Sequence, residues 1–357
     1  MSATLPERLG EEIRRDGPVT FARFMEVALY DPADGFYARP PVGAEGHFLT
    51  SPHVAPVFAW LLARQIGEAF DLLGSPERFD VVEHGAGDGT LARQLTEALG
   101  AVPALARALR YVAVERSSGA LDALPSAGIG AVEPAAAPRE TEGVCFANEL
   151  LDNVPFHLLR RDGSALRELF VTATDEEFAF EEGPPSNARL AELAASLADG
   201  AIGAVSPRSV DWLLDAASRM RRGYLLVIDY GGAGPRPPQT YRAHRAATEL
   251  LRDPGSADIT AGVDVEALAA AAREAGLRVW GPVSQRDALM RLGYGEYAGA
   301  ERRRTAAERE AGSPLAAARR WARRGRESML ADPGALGSLF WLVIGVGVDE
   351  PLACVRD

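Results

Sequence analysis

Apolar and polar positions change rhythm near residue 79. Before it they repeat with a helical period, and residues 5–30 and 54–73 read as helices. The second carries Val57, Phe58, Leu61, Leu62, Ile66 and Phe70 on one stripe. Between them Asp31-Pro-Ala-Asp-Gly35 and Arg39-Pro-Pro-Val-Gly43 are turn chemistry. After residue 79, short apolar runs at 79–83, 111–115, 129–133, 143–147, 224–229, 278–283 and 339–348 alternate with helical stretches, notably 90–99, 208–221 and 265–275. That alternation predicts an α/β fold, a mostly parallel seven-stranded sheet with helices on both faces. The last two runs face each other, so an antiparallel edge strand is expected at the end. Residues 156–207 interrupt the pattern with a hairpin, 166–172 against 177–181, and a short helical piece. Residues 286–335 interrupt it again, helical and rich in arginine.

Composition narrows the chemistry. Among 357 residues there is no lysine, so all 38 cationic side chains are arginines, set against 50 carboxylates for a net charge of −12. Without a lysine there is no Schiff-base or pyridoxal chemistry, and no phosphate-gripping P-loop. Two cysteines, Cys145 and Cys354, are too few for a disulfide framework or a thiolate metal site. The five histidines show no metal-ligand spacing, and no metal is expected. With no membrane span and no signal segment, the expectation is a cytoplasmic protein that binds neither nucleic acid nor membrane. The cluster from Arg302 to Arg326, partly offset by Glu301, Glu308 and Glu310, reads as a solvated helix surface, with an acidic partner as the alternative.

The most informative local feature is Val81-Val-Glu-His-Gly-Ala-Gly-Asp-Gly-Thr90. An apolar strand closes on Glu83 and enters Gly85-x-Gly87-x-Gly89, and a helix follows at once. Glycines let the backbone turn sharply and let a ligand approach, and the helix start favours a negative group. The dinucleotide fingerprint fails because Thr90 stands where its third glycine belongs. G-x-G-x-G after an acidic strand end is instead the pattern of S-adenosylmethionine (SAM) methyltransferases. The next strand ends in Glu115, 26 residues after Gly89, where a carboxylate can accept both ribose hydroxyls. The fourth strand ends in Asn148-Glu149-Leu-Leu-Asp152. In a doubly wound sheet this end lies beside the first, where ligands bind. Glu149 and Asp152, three apart, can share one face of a helical turn. Asp229 and Tyr230 open on the same rim. His84, inside the glycine loop, is either a wall residue or a base.

Together these segments resemble the MidA-like (DUF185) SAM-dependent methyltransferases, whose mitochondrial member is an arginine methyltransferase serving complex I assembly. The resemblance runs from about residue 7 to 348. Gly17-Pro-Val-Thr-Phe-Ala-Arg-Phe-Met25, Asp31-Pro-Ala-Asp-Gly-Phe-Tyr37, Phe48-Leu-Thr-Ser-Pro52, Asn148-Glu-Leu-Leu-Asp-Asn-Val-Pro155, Ile228-Asp-Tyr-Gly231 and Asp253-Pro-Gly-Ser-Ala-Asp-Ile-Thr-Ala261 carry it. It implies a class I, Rossmann-like methyltransferase domain at 75–348 with insertions at about 156–207 and 286–335, preceded by an N-terminal helical cap at 1–74. It implies SAM as cofactor and S-adenosylhomocysteine as product. The cofactor residues are then Glu83, Gly85, Gly87, Asp88, Glu115 and Asn148, with Thr50 and Ser51 closing over the methionine end.

The sequence departs from the family pattern at the rim. His53 stands for a usual Glu, Asp88 for an Arg, His84 for an apolar residue and Gly262 for a His. Catalytic candidates are Glu149, Asp152, Tyr230 and His53. The expected activity is methyl transfer to nitrogen, foremost on a protein or peptide arginine. The alternatives are a small specialised metabolite, methylated at nitrogen or oxygen, and a non-catalytic SAM-binding assembly factor. A homodimer is allowed.

Overall fold

Seven strands form one sheet: β1 (Phe79–His84), β2 (Leu109–Val114), β3 (Ala131–Val132), β4 (Thr141–Asn148), β5 (Met220–Asp229), β6 (Arg278–Ser284) and β7 (Phe340–Val346). This is a computed structural model, and it describes residues 3–38, 50–174, 177–242, 245–247, 249–310 and 314–356; the turn expected at 39–43 lies outside them. The strand order is β6-β7-β5-β4-β1-β2-β3. Every pairing is parallel except those of β7, which runs antiparallel to both β5 and β6. The chain therefore starts in the middle of the sheet, builds outward through β2 and β3, and returns to β4 on the other side of β1. The ends of β1 and β4 open the crevice where such sheets bind ligands.

The antiparallel strand is not at the edge, as the sequence suggests, but between β5 and β6. Side-chain burial explains the difference. Six of the seven β7 residues are buried, with Trp341, Leu342, Val343 and Ile344 at zero exposure on alternating faces. A strand apolar on both faces belongs in the interior. β6 carries no fully buried residue and contains Pro282, which suits an edge.

Both faces of the sheet are covered. Phe79, Val81, Phe146, Leu226 and Trp341 pack against the helices Val57–Leu72 and Thr90–Gly100. Val82, Cys145, Leu225, Val227 and Leu342 alternate with them and pack against Pro207–Ser218 and Val265–Glu274. The period of two explains why these runs read as continuously apolar.

A second, smaller sheet grows from residues 156–207. The expected hairpin is present as Ala165–Ala173 against Phe178–Gly183, and His157–Asp162 and Ile202–Val205 extend it. Helices Leu5–Asp16 and Phe21–Tyr30, broken at Gly17-Pro18, pack on this sheet. Between them the short strand Val19–Thr20 pairs with Val171 and Phe170. Leu9, Ile13, Phe21, Phe24, Phe156, Leu158 and Val171 make a core of their own. The helices Tyr294–Glu310 and Pro314–Glu327 form an outlying hairpin between β6 and β7.

Phe146 lies fully buried at the centre of β4. Phe146→Ala should cost about 3–5 kcal/mol of unfolding free energy in a denaturant titration. Because its side chain faces helices and not the crevice, ligand affinity of the folded fraction should stay within twofold.

Candidate active site

At the end of β1 the backbone turns through Gly85, Gly87 and Gly89, all with positive φ (76°, 53° and 74°). Two of them have distinct reasons to be glycine. A Cβ on Gly85 would sit 2.8 Å from Leu150 Cδ1, so the loop packs tightly against the β4 end. A Cβ on Gly87 would meet nothing within 4 Å, which leaves open space above the loop for a ligand. Glu115 follows β2 and reaches this loop: its carboxylate accepts from Gly87 N at 2.9 Å, Arg116 N at 2.6 Å and Ser117 N at 2.8 Å. Glu83 lies under the loop and takes a 2.6 Å hydrogen bond from the Tyr111 hydroxyl. Burial pushes it up to about 8 against that bond, helped by the charges of Glu115 and Asp88. His84 points to the opposite face of β1, where Trp212 Nε1 donates to its Nδ1 at 3.2 Å. Burial holds that imidazole down at about 4, so it stays neutral near pH 7, ill suited to taking a proton.

Across the crevice, the end of β4 gathers carboxylates. Asp229, fully buried at the end of β5, accepts from Leu150 N (3.1 Å), Leu151 N (2.7 Å) and Tyr230 N (2.7 Å). It thereby fixes the short 3-10 turn Leu151–Asn153. Glu149 does not share a helical face with Asp152, as its spacing suggests. It sits ahead of the turn in left-handed backbone, φ 53°, with its N–H bonded to Ile228 O at 2.8 Å. Left-handed geometry is costly for a residue with a Cβ and marks a position held by its surroundings.

Glu149 is nonetheless close enough to help raise Asp152. Burial lifts Glu149 to about 7, with Asp229 adding to the rise against hydrogen bonds from Ser51 N (3.0 Å) and Asn148 Nδ2 (3.2 Å). Burial, then Asp229, Asp258 and Glu149, hold Asp152 well above the usual carboxylate range. Asp152 Oδ1 and Asn148 Oδ1 are buried without a hydrogen-bond partner among the described residues. Such orphaned acceptors are costly unless a ligand satisfies them. Tyr230 closes the rim and is 38% exposed.

The segment around residue 50 joins the two sides. Ser51 is fully buried and binds Glu149 through its N–H; its hydroxyl lies beside the buried amide of Gln285. Thr50 Oγ1 is 2.7 Å from His53 Nδ1, and His53 Nε2 is 3.0 Å from Asp88 Oδ2. Those partners assign the tautomer: Nε2–H donates to Asp88, and Nδ1 accepts from Thr50. Asp88 also accepts from Thr90 N (2.9 Å) and Thr90 Oγ1 (3.0 Å). Burial pushes Asp88 up, but the bonds from His53 and Thr90 outweigh it and leave the carboxyl below its usual range. Two of the sequence departures therefore meet in space, because His53 and Asp88 are joined by one hydrogen bond. A third departure, Gly262, is filled by a neighbour, because a Cβ there would lie 2.8 Å from Arg236 Cδ.

Sequence reasoning assigned no role to several residues that shape this site. Tyr30 donates to Asn153 O at 3.1 Å and stacks on Tyr37, which donates to Asp258 Oδ1 at 3.3 Å. Asp258, pushed up to about 6 by burial, accepts from Asn153 Nδ2 at 2.9 Å. Arg116 lies 4.2 Å over the Tyr30 ring and pairs with Glu26. Tyr30 and Tyr37 come from the N-terminal segment, so their approach to Asn153 is a tertiary event. The only sequence signal is that Tyr37 and Asp258 stand in segments carrying the family resemblance.

The residues present fit SAM. An open cradle over Gly87, a carboxylate at the ribose position, a buried orphan oxygen on Asn148 and nearby carboxylates together suit a molecule with hydroxyls, an ammonium and a sulfonium. No cluster of three or more metal-ligating side chains occurs among the described residues. Gly87→Val should weaken SAM binding at least tenfold by calorimetry, since its side chain fills the cradle. His53→Glu should also weaken SAM binding by placing two carboxylates together. Adding Asp88→Arg should recover most of that loss, a coupling readable in a double-mutant cycle.

Known proteins are similar to this chain in sequence and fold. A COG1565 superfamily member from Burkholderia thailandensis, solved bound to S-adenosyl-homocysteine, is 27% identical and superposes with a TM-score of 0.81 over 98% of this chain and 94% of that one. The human mitochondrial protein arginine methyltransferase NDUFAF7 is 26% identical over 322 residues, 79% of this chain and 71% of its own. Its Caenorhabditis elegans homolog is 25% identical over 328 residues, 81% and 76%. Residues 61–283 match the Methyltransf_28 family of S-adenosyl-L-methionine-dependent methyltransferases, and with the class I fold and its cofactor cradle in place, the chain belongs to that family as a SAM-dependent enzyme.

Proposed function

We propose that this enzyme methylates an arginine side chain of a protein. The observation that carries the reading is the carboxylate cluster of Glu149 and Asp152, with an unpartnered Asp152 oxygen, facing the crevice beside the glycine loop. A planar guanidinium offers five donors in a rigid fork, and paired carboxylates are its natural complement. The names of the human and nematode relatives point the same way.

When bound, SAM supplies a methyl carbon made electrophilic by its sulfonium. The protein's task is to hold the acceptor nitrogen in line and to receive the proton it sheds. Glu149 is suited to that proton. Its elevated pKa brings it near neutrality, and Ser51 and Asn148 fix the orientation of its carboxylate. Asp152 grips the guanidinium from the other side. Tyr230 borders the acceptor, and His53 acts through Asp88 on the glycine loop, a positioning residue.

Incubation of candidate proteins with isotopically labelled SAM, followed by mass spectrometry, should place the label on arginine nitrogen. Label recovered only in small molecules would overturn the reading. Glu149→Gln should lower kcat at least a hundredfold while SAM affinity changes less than threefold. The pH profile gives a second check. Glu149 is protonated below about 7 and gains its charge above, so kcat/KM should climb between pH 6 and 8, and Glu149→Gln should flatten that rise.

A further inference from the structure

The arginine-rich hairpin between β6 and β7 lies apart from the chemistry. It holds nine arginines and five glutamates over residues 294–327, in a chain whose net charge is −12. Its second helix, Pro314–Glu327, is built inside out. The polar side faces the first helix. Arg320 pairs with Glu301 (2.7 Å) and Glu308 (2.6 Å), and Arg323 pairs with Glu301 (2.7 Å). Glu301 itself is 2% exposed.

The apolar side faces solvent. At helical spacing Leu315, Ala318, Trp321, Ala322 and Gly325 fall within an arc of about 120°. All five are exposed, Trp321 at 71% and Leu315 at 65%. The same spacing sets Arg319 and Arg326 along one border of the strip and Arg324 along the other. None of these three has a carboxylate partner among the described residues. A helix ordinarily buries its apolar face; this one turns Arg320 and Arg323 toward its partner helix and presents the tryptophan.

We propose that this helix docks the enzyme on an anionic lipid surface, laying Trp321 and Leu315 at the headgroup boundary while the bordering arginines meet lipid phosphates. Charge selects that occupant. A second copy would bring two rows of unpaired arginines together. A cationic acceptor suited to the acidic crevice would be repelled. The strip is convex and shallow, one aromatic and one leucine among alanines, which fits a deformable interface. Such a helix lies on a membrane and does not span it, so the absence of any crossing helix among the described residues bears on a different question. The sequence-based expectation of no membrane rested on that absence.

The test is co-sedimentation of the full chain with vesicles of phosphatidylcholine alone and of equal parts phosphatidylcholine and phosphatidylglycerol. Binding to the anionic vesicles only, reversed by high salt, is the expected result. Trp321→Glu should lower it at least tenfold. Arg319→Gln, Arg324→Gln and Arg326→Gln should each lower it about fivefold, while SAM binding is unchanged. No binding to anionic vesicles, or undiminished binding by Trp321→Glu, overturns the proposal. Capture of a polyglutamate peptide without vesicle binding overturns it in favour of an acidic protein partner. A dimer in sedimentation that Trp321→Glu dissociates overturns it in favour of self-association.

Discussion

A single buried carboxylate organises the crevice. Asp229 has no exposed surface, yet it accepts three backbone N–H groups from residues on two different strand ends. Burial raises that carboxyl to about 7, and those donors keep it from rising further by replacing part of its lost hydration. In exchange the end of β4 is fixed against the end of β5, and the chain after Asn148 must turn immediately. Glu149 is thereby forced into left-handed backbone and Asp152 into the turn that follows. Asp152 is placed by this main-chain geometry with its Oδ1 left unpartnered among the described residues, while Glu149 is also held by Ser51 N and the Asn148 amide.

The cofactor side is organised differently. Three glycines supply the turn, and Glu115 ties two backbone segments to it, but the loop is also strapped from outside by His53. That strap is one hydrogen-bonded bridge between the segment at residue 50 and the glycine loop. Neither residue reveals the link by itself; only their contact does. The absence of lysine gains meaning in the same way. With no amine to serve as base or anchor, a proton acceptor has to be a carboxylate, an imidazole or a phenol, and burial brings Glu149 to about 7.

The molecule also separates its charges. Carboxylates concentrate at the strand ends beside the cofactor cradle, while arginines concentrate on the hairpin between β6 and β7.

Much of this was legible in the linear chain. All seven sheet strands, the glycine loop, Glu115 and the pair Glu149–Asp152 follow from local patterns, because strand period, turn residues and strand-end acids are set by neighbours in sequence. The position of β7 was not legible, since an apolar run reports burial on both faces but not which two strands flank it. Nor was the left-handed turn at Glu149, which comes from Asp229, 80 residues later. Tyr30 and Tyr37 reached the site only because their segment packs on an inserted sheet well over a hundred residues away, and the hairpin's outward tryptophan emerged only when Glu301 was seen to claim the opposite face. Sequence by itself determined the fold class, the cofactor cradle and the type of chemistry, all of which rest on short-range rules. Tertiary structure decided which carboxylates converge and which face of a helix meets water, because both depend on what distant segments bring to the same place.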